Sequence, residues 1–468
     1  MKQKTIRKPA SISGIGLHTG EVVNTTIKPA SSNHGIRFKR VDMAGENHEI
    51  LADVSKVFST QRGTSLKSGE AVVHTVEHVL AALYAMEIDN AIIELDGSEV
   101  PILDGSAAPF VELIEKAGTE ELEADREIFK ITEPITYRDE ASGTEILALP
   151  NDHFEATVLI DFNSKILGQQ YASLYDLNDF SESIAPCRTF VFLHELETLI
   201  DQGLIKGGDL DNAIVIADVV MSEEKLQKLA RRLGKESITI EEEGILNTVK
   251  LHYSNEPARH KLLDLIGDIS LLGKHVQGKI VAKKPGHTAN VSFTKILKRK
   301  YREFQKLRAI PHYNPNEEPV YNNVQINGLL PHRYPFLLID KVIEITEKSV
   351  VAIKNVTINE AYFQGHFPGN PVMPGVLQIE AMAQTGGILV LSNVTEPKDW
   401  DTYFLKIDNA KFKYKVVPGD TLILKLELLS PIRRGICNMF GSAYVGERLV
   451  SEGELTAQII KRKKDDQK

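Results

Sequence analysis

Four side chains in the first 300 residues have the types and spacing that a catalytic metal site needs. His260 and Asp264 lie four residues apart in a segment with helical spacing of apolar residues, so both side chains project from one helix face. His78 directly follows Glu77 in a second segment of this kind. Two imidazoles and a carboxylate with one open position suit catalytic Zn²⁺, and the adjacent glutamate could be the base. From spacing alone, a capped or surface His–Asp pair is the alternative.

A second group of candidate residues lies in the last third of the chain. Glu380 stands mid-helix in the apolar, small-residue segment after Pro374, where burial would raise its pKa toward that of a useful acid. His366 lies in the Gly/Pro-rich loop before this helix and could approach the same pocket. The two residues indicate acid–base catalysis, with a helix-surface glutamate and a structural loop histidine as the alternatives.

The composition is that of a soluble globular protein with several domains. The chain has 468 residues, of which 42% are hydrophobic and 25% charged, and this length corresponds to about three domains. The net charge of -9 argues against general nucleic-acid binding. With Cys187 and Cys437 as its two cysteines, the chain has no disulfide framework, which fits a reducing cytoplasm. No apolar run has the length of a signal peptide or a membrane span, so we expect a cytoplasmic protein.

The elements that must position these side chains fall into three segments. A basic helical pattern turns into Pro/Asn-rich sequence, which predicts a linker at 301–322 between domains at 1–300 and 323–468. A weaker break divides the first domain into subdomains of about 1–122 and 123–300.

Apolar spacing predicts helices around the candidate residues. Segments 72–86 and 257–273 each begin like a buried helix with a polar edge. In the basic run before the linker, Leu297 and Tyr301 belong to an apolar stripe with helical spacing. This stripe indicates a helix whose basic residues form its solvated face. An anion-binding site is the alternative for that run.

The first 298 residues resemble the UDP-3-O-acyl-N-acetylglucosamine deacetylase family, the zinc amidases of lipid A synthesis. The motifs that carry the resemblance are GIGLHTG (14–20), TVEHVLAAL (75–83), VPILDGSAAPF (100–110), CRTF (187–190), NEPARHKLLDLIGD (255–268) and KPGH (284–287). The resemblance implies an α/β sandwich of two subdomains with one Zn²⁺ per chain, held by His78, His260 and Asp264. Glu77 is then the general base that activates water.

The same resemblance assigns the other residues of the first site. Thr189 would help polarise the acetamide carbonyl, and His287, held by Asp268, would stabilise the oxyanion and protonate the leaving amine. The resemblance also implies that Lys261 contacts the UDP diphosphate. Residues 190–218 would form a passage for the acyl chain, with Phe190 and Phe192 at its entrance. The alternatives are a helix cap for Asp268, a solvated Lys261 and ordinary core packing for the two rings.

The segment from about Asn323 to Lys461 resembles the (3R)-hydroxyacyl-acyl-carrier-protein dehydratases of the FabZ type. The motifs are LLPHRYPFLLID (329–340) and GHFPGNPVMPGVLQIEAMAQ (365–384). The implied fold is a hotdog, an antiparallel sheet around a central helix, which makes the whole chain α+β. By this resemblance His366 removes the C2 proton, Glu380 helps expel the C3 hydroxyl, and the Gly375 amide binds the thioester carbonyl. No cofactor is implied.

The second resemblance also implies partners. An acyl carrier protein bearing a 3-hydroxyacyl chain would dock on basic residues, for which a solvated face is the alternative. The candidates are Lys411, Lys413, Lys415, Arg433 and Arg434. The family forms homodimers in which His366 and the facing Glu380 come from different subunits, and these dimers can assemble into threefold rings, giving a hexamer.

Together the two resemblances predict one bifunctional enzyme of lipid A and fatty acid biosynthesis. It would deacetylate a UDP-linked acylated glucosamine and dehydrate a carrier-bound 3-hydroxyacyl chain. Two alternatives remain: one half is a non-catalytic binding or scaffold domain, or the hotdog half is a thioesterase.

Overall fold

A computed structural model describes residues 1–43, 48–196, 206, 212–219, 221, 223–232, 238–240, 244–246, 250–308 and 310–462. The chain divides into two compact units, Met1–Arg302 and Glu303–Lys468. Within the described ranges, no helix combines the length and the apolar character that crossing a membrane requires.

The first unit contains two larger sheets and several small ones. Its described strands are β1 (Lys2–Ile6), β2 (Ala10–Ile15), β3 (Val22–Pro29), β4 (Ile36–Arg40), β5 (Glu49–Leu51), β6 (Val57–Ser59), β7 (Ser65–Ser68), β8 (Ala71–Val73), β9 (Ala91–Leu95), β10 (Thr119–Asp125), β11 (Ile128–Lys130), β12 (Ile135–Asp139), β13 (Thr144–Leu149), β14 (Phe154–Asp161), β15 (Gln169–Leu174), β16 (Phe190–Phe192), β17 (Ile214–Ile216) and β18 (His275–Lys283). One large sheet has the order β2-β3-β9-β4-β5, and the other has the order β12-β13-β18-β14-β15. Buried residues alternate along β14, as expected for a strand with one face on the core.

The described helices that begin in the first unit are α1 (Glu77–Ala85), α2 (Ala108–Ala117), α3 (Phe180–Ser183), α4 (Glu223–Arg232), α5 (Glu256–Ser270) and α6 (His287–Arg308). Three of them, α1, α2 and α5, form a layer between the two large sheets. Helix α2 packs against β2 and α1, α1 packs against α5, and α5 packs against β14 and β15. Because α1 lies inside this layer, all nine of its residues are buried. The predicted two-part α/β sandwich is therefore confirmed.

Two helix boundaries differ from the expectations. In the segment 72–86 the helix begins only at Glu77, because Thr75 has a left-handed backbone with φ of 56°. Helix α6 continues to Arg308, inside the segment 301–322 expected to be linker. Its apolar stripe explains this continuation, since Leu297 is fully buried and the ring of Tyr301 packs edge-on against Phe129 at 5.4 Å.

The second unit is one antiparallel sheet with a long helix against it. Its strands are β19 (Lys341–Ile345), β20 (Ser349–Asn355), β21 (Trp400–Phe412), β22 (Thr421–Leu428), β23 (Ile436–Val445) and β24 (Arg448–Lys461), and its helices are α7 (Asn323–Leu329) and α8 (Gly375–Leu391). The sheet order is β19-β20-β22-β23-β24-β21. Helix α8 approaches the sheet closely at Gly386, where a Cβ would lie 2.8 Å from Met439 Sδ. This arrangement confirms the predicted hotdog fold.

Candidate active sites

The three predicted metal ligands lie together where α1 meets α5. Asp264 Oδ1 is 3.9 Å from His78 Nε2 and 3.4 Å from His260 Nε2. One potential ligand atom from each of the three buried side chains lies within 4.8 Å of the others. In the part of the chain that the structure describes, this is the one cluster of three or more such side chains with metal-binding geometry.

The state of these side chains fits a bound divalent cation such as zinc. Asp264 Oδ1 is buried and has no hydrogen-bond donor among the described residues, so a cation would supply the partner it needs. His260 Nδ1 donates to the Cys187 carbonyl at 3.0 Å, which leaves Nε2 as the ligand atom. Burial lowers the pKa of His78 to about 3 and also lowers that of His260, so both imidazoles are neutral and able to coordinate.

Glu77, the predicted base, is buried beside this cluster. Its Oε2 accepts a hydrogen bond from the Thr64 amide at 2.9 Å, and its Oε1 lies 3.8 Å from His287 Nε2. Burial, assisted by the nearby carboxylates Asp264 and Asp268, raises the pKa of Glu77 to about 7. A carboxyl group with a pKa near neutrality is suited to taking up and returning a proton.

His287 opens α6 and is surrounded by carboxylates. Its Nδ1 donates to Asp268 Oδ2 at 2.9 Å, and its Nε2 lies 3.7 Å from Asp264 Oδ2, with Glu77 also close. Burial acts to lower the pKa of His287, but these three carboxylates outweigh it and raise the pKa to about 9. The imidazole is therefore protonated at neutral pH and can act as a hydrogen-bond donor and an acid.

Two residues that the motifs did not reveal hold Asp268 in place. Thr64 Oγ1 donates to Asp268 Oδ1, and Asn290 Nδ2 donates to Asp268 Oδ2 at 3.0 Å. Asn290 lies three residues after His287 on one helix face, a spacing that could have signalled it. The carboxylate thus fixes the imidazole instead of only capping a helix turn.

Thr189 and Lys261 line the same cavity of about 180 Å³ as the metal-ligand cluster. The Thr189 backbone is fixed by hydrogen bonds to Gly105 and Ile214, at 2.9 and 2.8 Å. Lys261 Nζ lies 2.8 Å from Asp264 Oδ2. Burial acts to raise the pKa of Asp264, but the Lys261 charge and the neighbouring histidines together outweigh it and hold this pKa well below its usual range.

The predicted aromatic pair belongs to a cluster of three rings. Phe190 and Phe192 project from one face of β16, and each ring centroid lies 5.5 Å from that of Phe162. Phe190 also lines the cavity, whereas Phe192 packs in a buried cluster with β17. Of the expected acyl-chain unit at 190–218, residues 197–205, 207–211 lie outside the described part of the chain.

In the second unit, Glu380 lies near the middle of α8 and borders a cavity of about 320 Å³. Its Oε1 accepts a hydrogen bond from Gln384 Nε2 at 3.0 Å and lies 3.7 Å from His332 Nε2. The described residues that line this cavity do not include His366. Within one chain, this cavity therefore holds Glu380 and not His366.

His366 is oriented by its own loop. Its Nδ1 donates to the Val372 carbonyl at 2.7 Å, which leaves Nε2 free to accept a proton. The ring also stacks on Phe367, with centroids 4.0 Å apart. The loop thus fixes both the tautomer and the plane of this imidazole.

His332 is a neighbour of Glu380 to which no role was assigned from the sequence. Its Nδ1 is buried without a hydrogen-bond partner among the described residues. Burial lowers the pKa of His332, with the charge of Glu380 acting in the opposite direction. Local periodicity could not relate these residues, because 48 positions separate them.

The start of α8 and the exposed basic residues complete the second unit. Gly375 begins the helix, and a Cβ there would lie 2.8 Å from the ring of Phe412, so only glycine fits. Its N–H belongs to the helix N-terminus, where amides have no partner within the helix. All the predicted docking residues are exposed, namely Lys411, Lys413, Lys415, Arg433 and Arg434.

Two family models match the chain. The model described as LpxC, UDP-3-O-acyl N-acetylglycosamine deacetylase, matches residues 3–231 and 229–299. The model described as a FabA-like domain matches residues 330–454. The first therefore covers the metal-ligand cluster and its surroundings, and the second covers Glu380 and His366.

Relatives of full length combine both parts. A bifunctional enzyme LpxC/FabZ of Bacteroides thetaiotaomicron is 50% identical over 463 residues, which cover 99% of this chain and 100% of the relative. A protein of the same name from Chlorobaculum tepidum is 46% identical over 465 residues, 98% of this chain and 99% of the relative. The UDP-3-O-acyl-N-acetylglucosamine deacetylase of Chlamydia pneumoniae is 37% identical over 295 residues, 63% of this chain and 95% of that protein.

Proposed function

The chain belongs to the family of bifunctional LpxC/FabZ enzymes, and we propose that the two sites described above perform its two reactions. The N-terminal half deacetylates UDP-3-O-(3-hydroxyacyl)-N-acetylglucosamine for lipid A biosynthesis. The C-terminal half dehydrates (3R)-3-hydroxyacyl-acyl-carrier protein to the trans-2-enoyl product for fatty acid biosynthesis. The observation that carries the first assignment is the position of Glu77 and His287 beside a buried cluster of two histidines and an aspartate.

Zinc is the proposed cofactor of the deacetylase site. His78, His260 and Asp264 would hold it, and the unpartnered Asp264 Oδ1 supports this assignment. When bound, zinc supplies a Lewis acid that acts on water and on the acetamide carbonyl. The dehydratase reaction as proposed uses no cofactor.

Glu77 and His287 handle the protons of deacetylation. Ionised Glu77, held by the Thr64 amide, takes a proton from the attacking water as the new C–O bond forms. Protonated His287 stabilises the developing oxyanion and then protonates the amine as the C–N bond breaks. Because Asp268 holds Nδ1, the proton leaves from Nε2, the atom nearest Glu77. The products are acetate and the free amino sugar.

The remaining cavity residues are assigned to substrate binding. The Thr189 hydroxyl would polarise the acetamide carbonyl, since this residue lines the cavity beside the cluster. Lys261 supplies positive charge for the diphosphate. Phe190 and Phe192, with Phe162 at 40% exposure, form an apolar surface suited to the acyl chain.

In the dehydratase reaction His366 takes the C2 proton and Glu380 protonates the departing C3 hydroxyl, which leaves as water. The Gly375 amide would bind the thioester carbonyl, where negative charge develops. The free Nε2 of His366 suits it as the base.

We further propose that this site is completed by a second copy of the chain. His366 is not among the described residues that line the cavity beside Glu380, which supports a site shared between two chains. Edge strand β21 exposes apolar side chains, with Tyr403, Leu405 and Ile407 at 55%, 53% and 49% exposure. A symmetric partner would cover such a surface. We place the enzyme in the cytoplasm, where its carrier-bound and nucleotide-linked substrates would be found.

Product analysis tests both activities on the full-length protein. We expect acetate release from the UDP-linked substrate in proportion to bound zinc. From one hydroxyacyl-carrier substrate we expect enoyl-carrier product without free carrier thiol. Thiol release without enoyl product would instead identify the second half as a thioesterase, and zinc-loaded protein without acetate release would contradict the assignment of the first half.

A further inference from the structure

Glu99 is a fully buried carboxylate that neither reaction uses. Its oxygens accept hydrogen bonds from the His18 amide at 3.0 and 3.1 Å, and from the amide and hydroxyl of Thr19 at 2.9 and 3.0 Å. The Thr75 hydroxyl donates to it at 2.8 Å. Among the described residues, no lysine or arginine forms an ion pair with Glu99, so backbone and hydroxyl donors satisfy it. One carboxylate thus joins two segments that are far apart in sequence.

The first of these segments is the turn that starts α1. Thr75 has a left-handed φ of 56°, an unfavourable conformation for a β-branched residue. Such strain persists only where the surroundings impose it. On either side of Thr75 the backbone is held, since His74 pairs with Ser98 and the Val76 amide donates to Thr64. The bond to Glu99 fixes the side chain between these two backbone anchors.

The second segment is the glycine-rich loop that begins at Gly16. Its Gly20 amide donates to the Gly16 carbonyl at 2.9 Å, which closes the turn. A Cβ on Gly16 would lie 2.6 Å from Glu99 Oε2, so only glycine permits this contact. Leu17 and His18 of the loop line the cavity that holds the metal-ligand cluster. Glu99 therefore supports one wall of the deacetylase cavity as well as the start of α1.

We infer that Glu99 is a positioning residue of the deacetylase, acting through Thr75 on the start of α1 and through the loop on the cavity wall. Glu77 and His78 directly follow this turn, while the other two ligands come from α5. A shift at Thr75 would therefore move the base and one ligand relative to His260 and Asp264. This inference rests on the proposed roles of Glu77 and His78.

The test uses Glu99→Gln in the full-length protein. The amide NH₂ of the new glutamine would face the N–H and O–H donors that now bind the carboxylate. Because two donors cannot pair, some of these hydrogen bonds must break. We expect kcat of deacetylation to fall about 10- to 100-fold, as misplacement by about 1 Å can do, and KM to rise. Dehydratase activity of the same protein sample controls for concentration and for general damage. Glu94→Gln is the matched control, because Glu94 pairs with Lys28 away from the cavity and should leave deacetylation unchanged.

Thr75→Gly separates positioning from general stability. Glycine adopts a positive φ without strain, so the turn no longer needs Glu99 to hold it. We expect Glu99→Gln to cost little additional kcat in the Thr75→Gly background, while KM still rises because the loop has lost its support. If Glu99→Gln lowers kcat by the same factor in the Thr75→Gly background as in the wild-type protein, the two effects are additive and the inference is contradicted. A purely structural role would lower the unfolding temperature of Glu99→Gln and leave kcat and KM at wild-type values in the folded protein.

Two further variants decide the remaining outcomes. If Glu99→Gln does not fold, Thr75→Ala keeps Glu99 but removes the hydroxyl from a strained position, and its kcat should also fall about tenfold or more. An undiminished kcat in Thr75→Ala would overturn the inference. If wild type is inactive, or Glu77→Gln fully active, the proposed function itself fails. If wild type is active, Glu77→Gln inactive and Glu99→Gln unimpaired, only the positioning role fails.

Discussion

Gly267 of α5 touches the backbone of Glu77 so closely that a Cβ at this position would lie 2.2 Å from the Glu77 carbonyl oxygen. This contact sets the distance between the two helices that carry the metal-ligand cluster. Gly267→Ala should push the helices apart. We expect about 1–3 kcal/mol lower stability, weaker zinc binding and slower deacetylation.

Thermal unfolding and zinc titration of Gly267→Ala would measure these effects. Gly328→Ala is the matched control, because no atom lies within 4 Å of the Cβ it would add. Wild-type zinc affinity in Gly267→Ala would show that helix spacing does not control the site.

Removing ligands should separate metal binding from proton transfer. His78→Ala and Asp264→Ala should lose both zinc and deacetylation, since each removes one of three ligands. Glu77→Gln should keep zinc and lose about 100- to 10,000-fold in turnover, the range typical of a general base. Metal analysis alongside acetate release provides the measurement. Chelation should abolish deacetylation and spare dehydration; a dehydratase that needs added metal would refute the assignment of the second site.

Shared dehydratase sites should show complementation. Mixed dimers of His366→Ala and Glu380→Ala contain one site without either group and one site with both. Random pairing makes about half of the dimers mixed, so about a quarter of wild-type activity should return although each variant alone is nearly inactive. Enoyl formation before and after subunit exchange measures the recovery. Confirmed exchange without recovery would place the complete site within one chain.

The first unit should lose stability in mild acid because of His275. Its ring is stacked on Tyr84 with centroids 4.6 Å apart, and burial lowers the pKa of His275 to about 4. The unfolded chain titrates near pH 6.5, so between pH 6.5 and 4 it binds a proton that the folded chain excludes. Stability contributed by neutral His275 is present above pH 6.5 and is lost as the pH falls to about 4, by up to roughly 3 kcal/mol.

Comparison with His275→Gln isolates this contribution. The difference in unfolding free energy between wild type and variant should change between pH 7 and pH 5, with wild type losing more. A difference that does not change with pH would mean that folding leaves the pKa of His275 unshifted.

From the sequence alone, local spacing predicted the reactive residue types, and the resemblance of the motifs to two families predicted the two folds. Spacing of four on α5 places His260 and Asp264 on one face whatever the helix packs against. The motif order similarly identified both families before any contact was known. Roles for individual residues remain predictions that the experiments above address.

Tertiary structure decided which distant side chains meet. Thr64 reaches Asp268 across 204 positions, and His332 reaches Glu380 across 48, distances over which helix and strand periods carry no information. The start of α1 also involves long-range contacts, because left-handed Thr75 donates a hydrogen bond to Glu99, 24 positions later. The helical spacing of apolar residues predicts a helix that starts earlier, within β8. The local sequence disfavours the left-handed conformation of Thr75, so this conformation depends on packing in the folded chain.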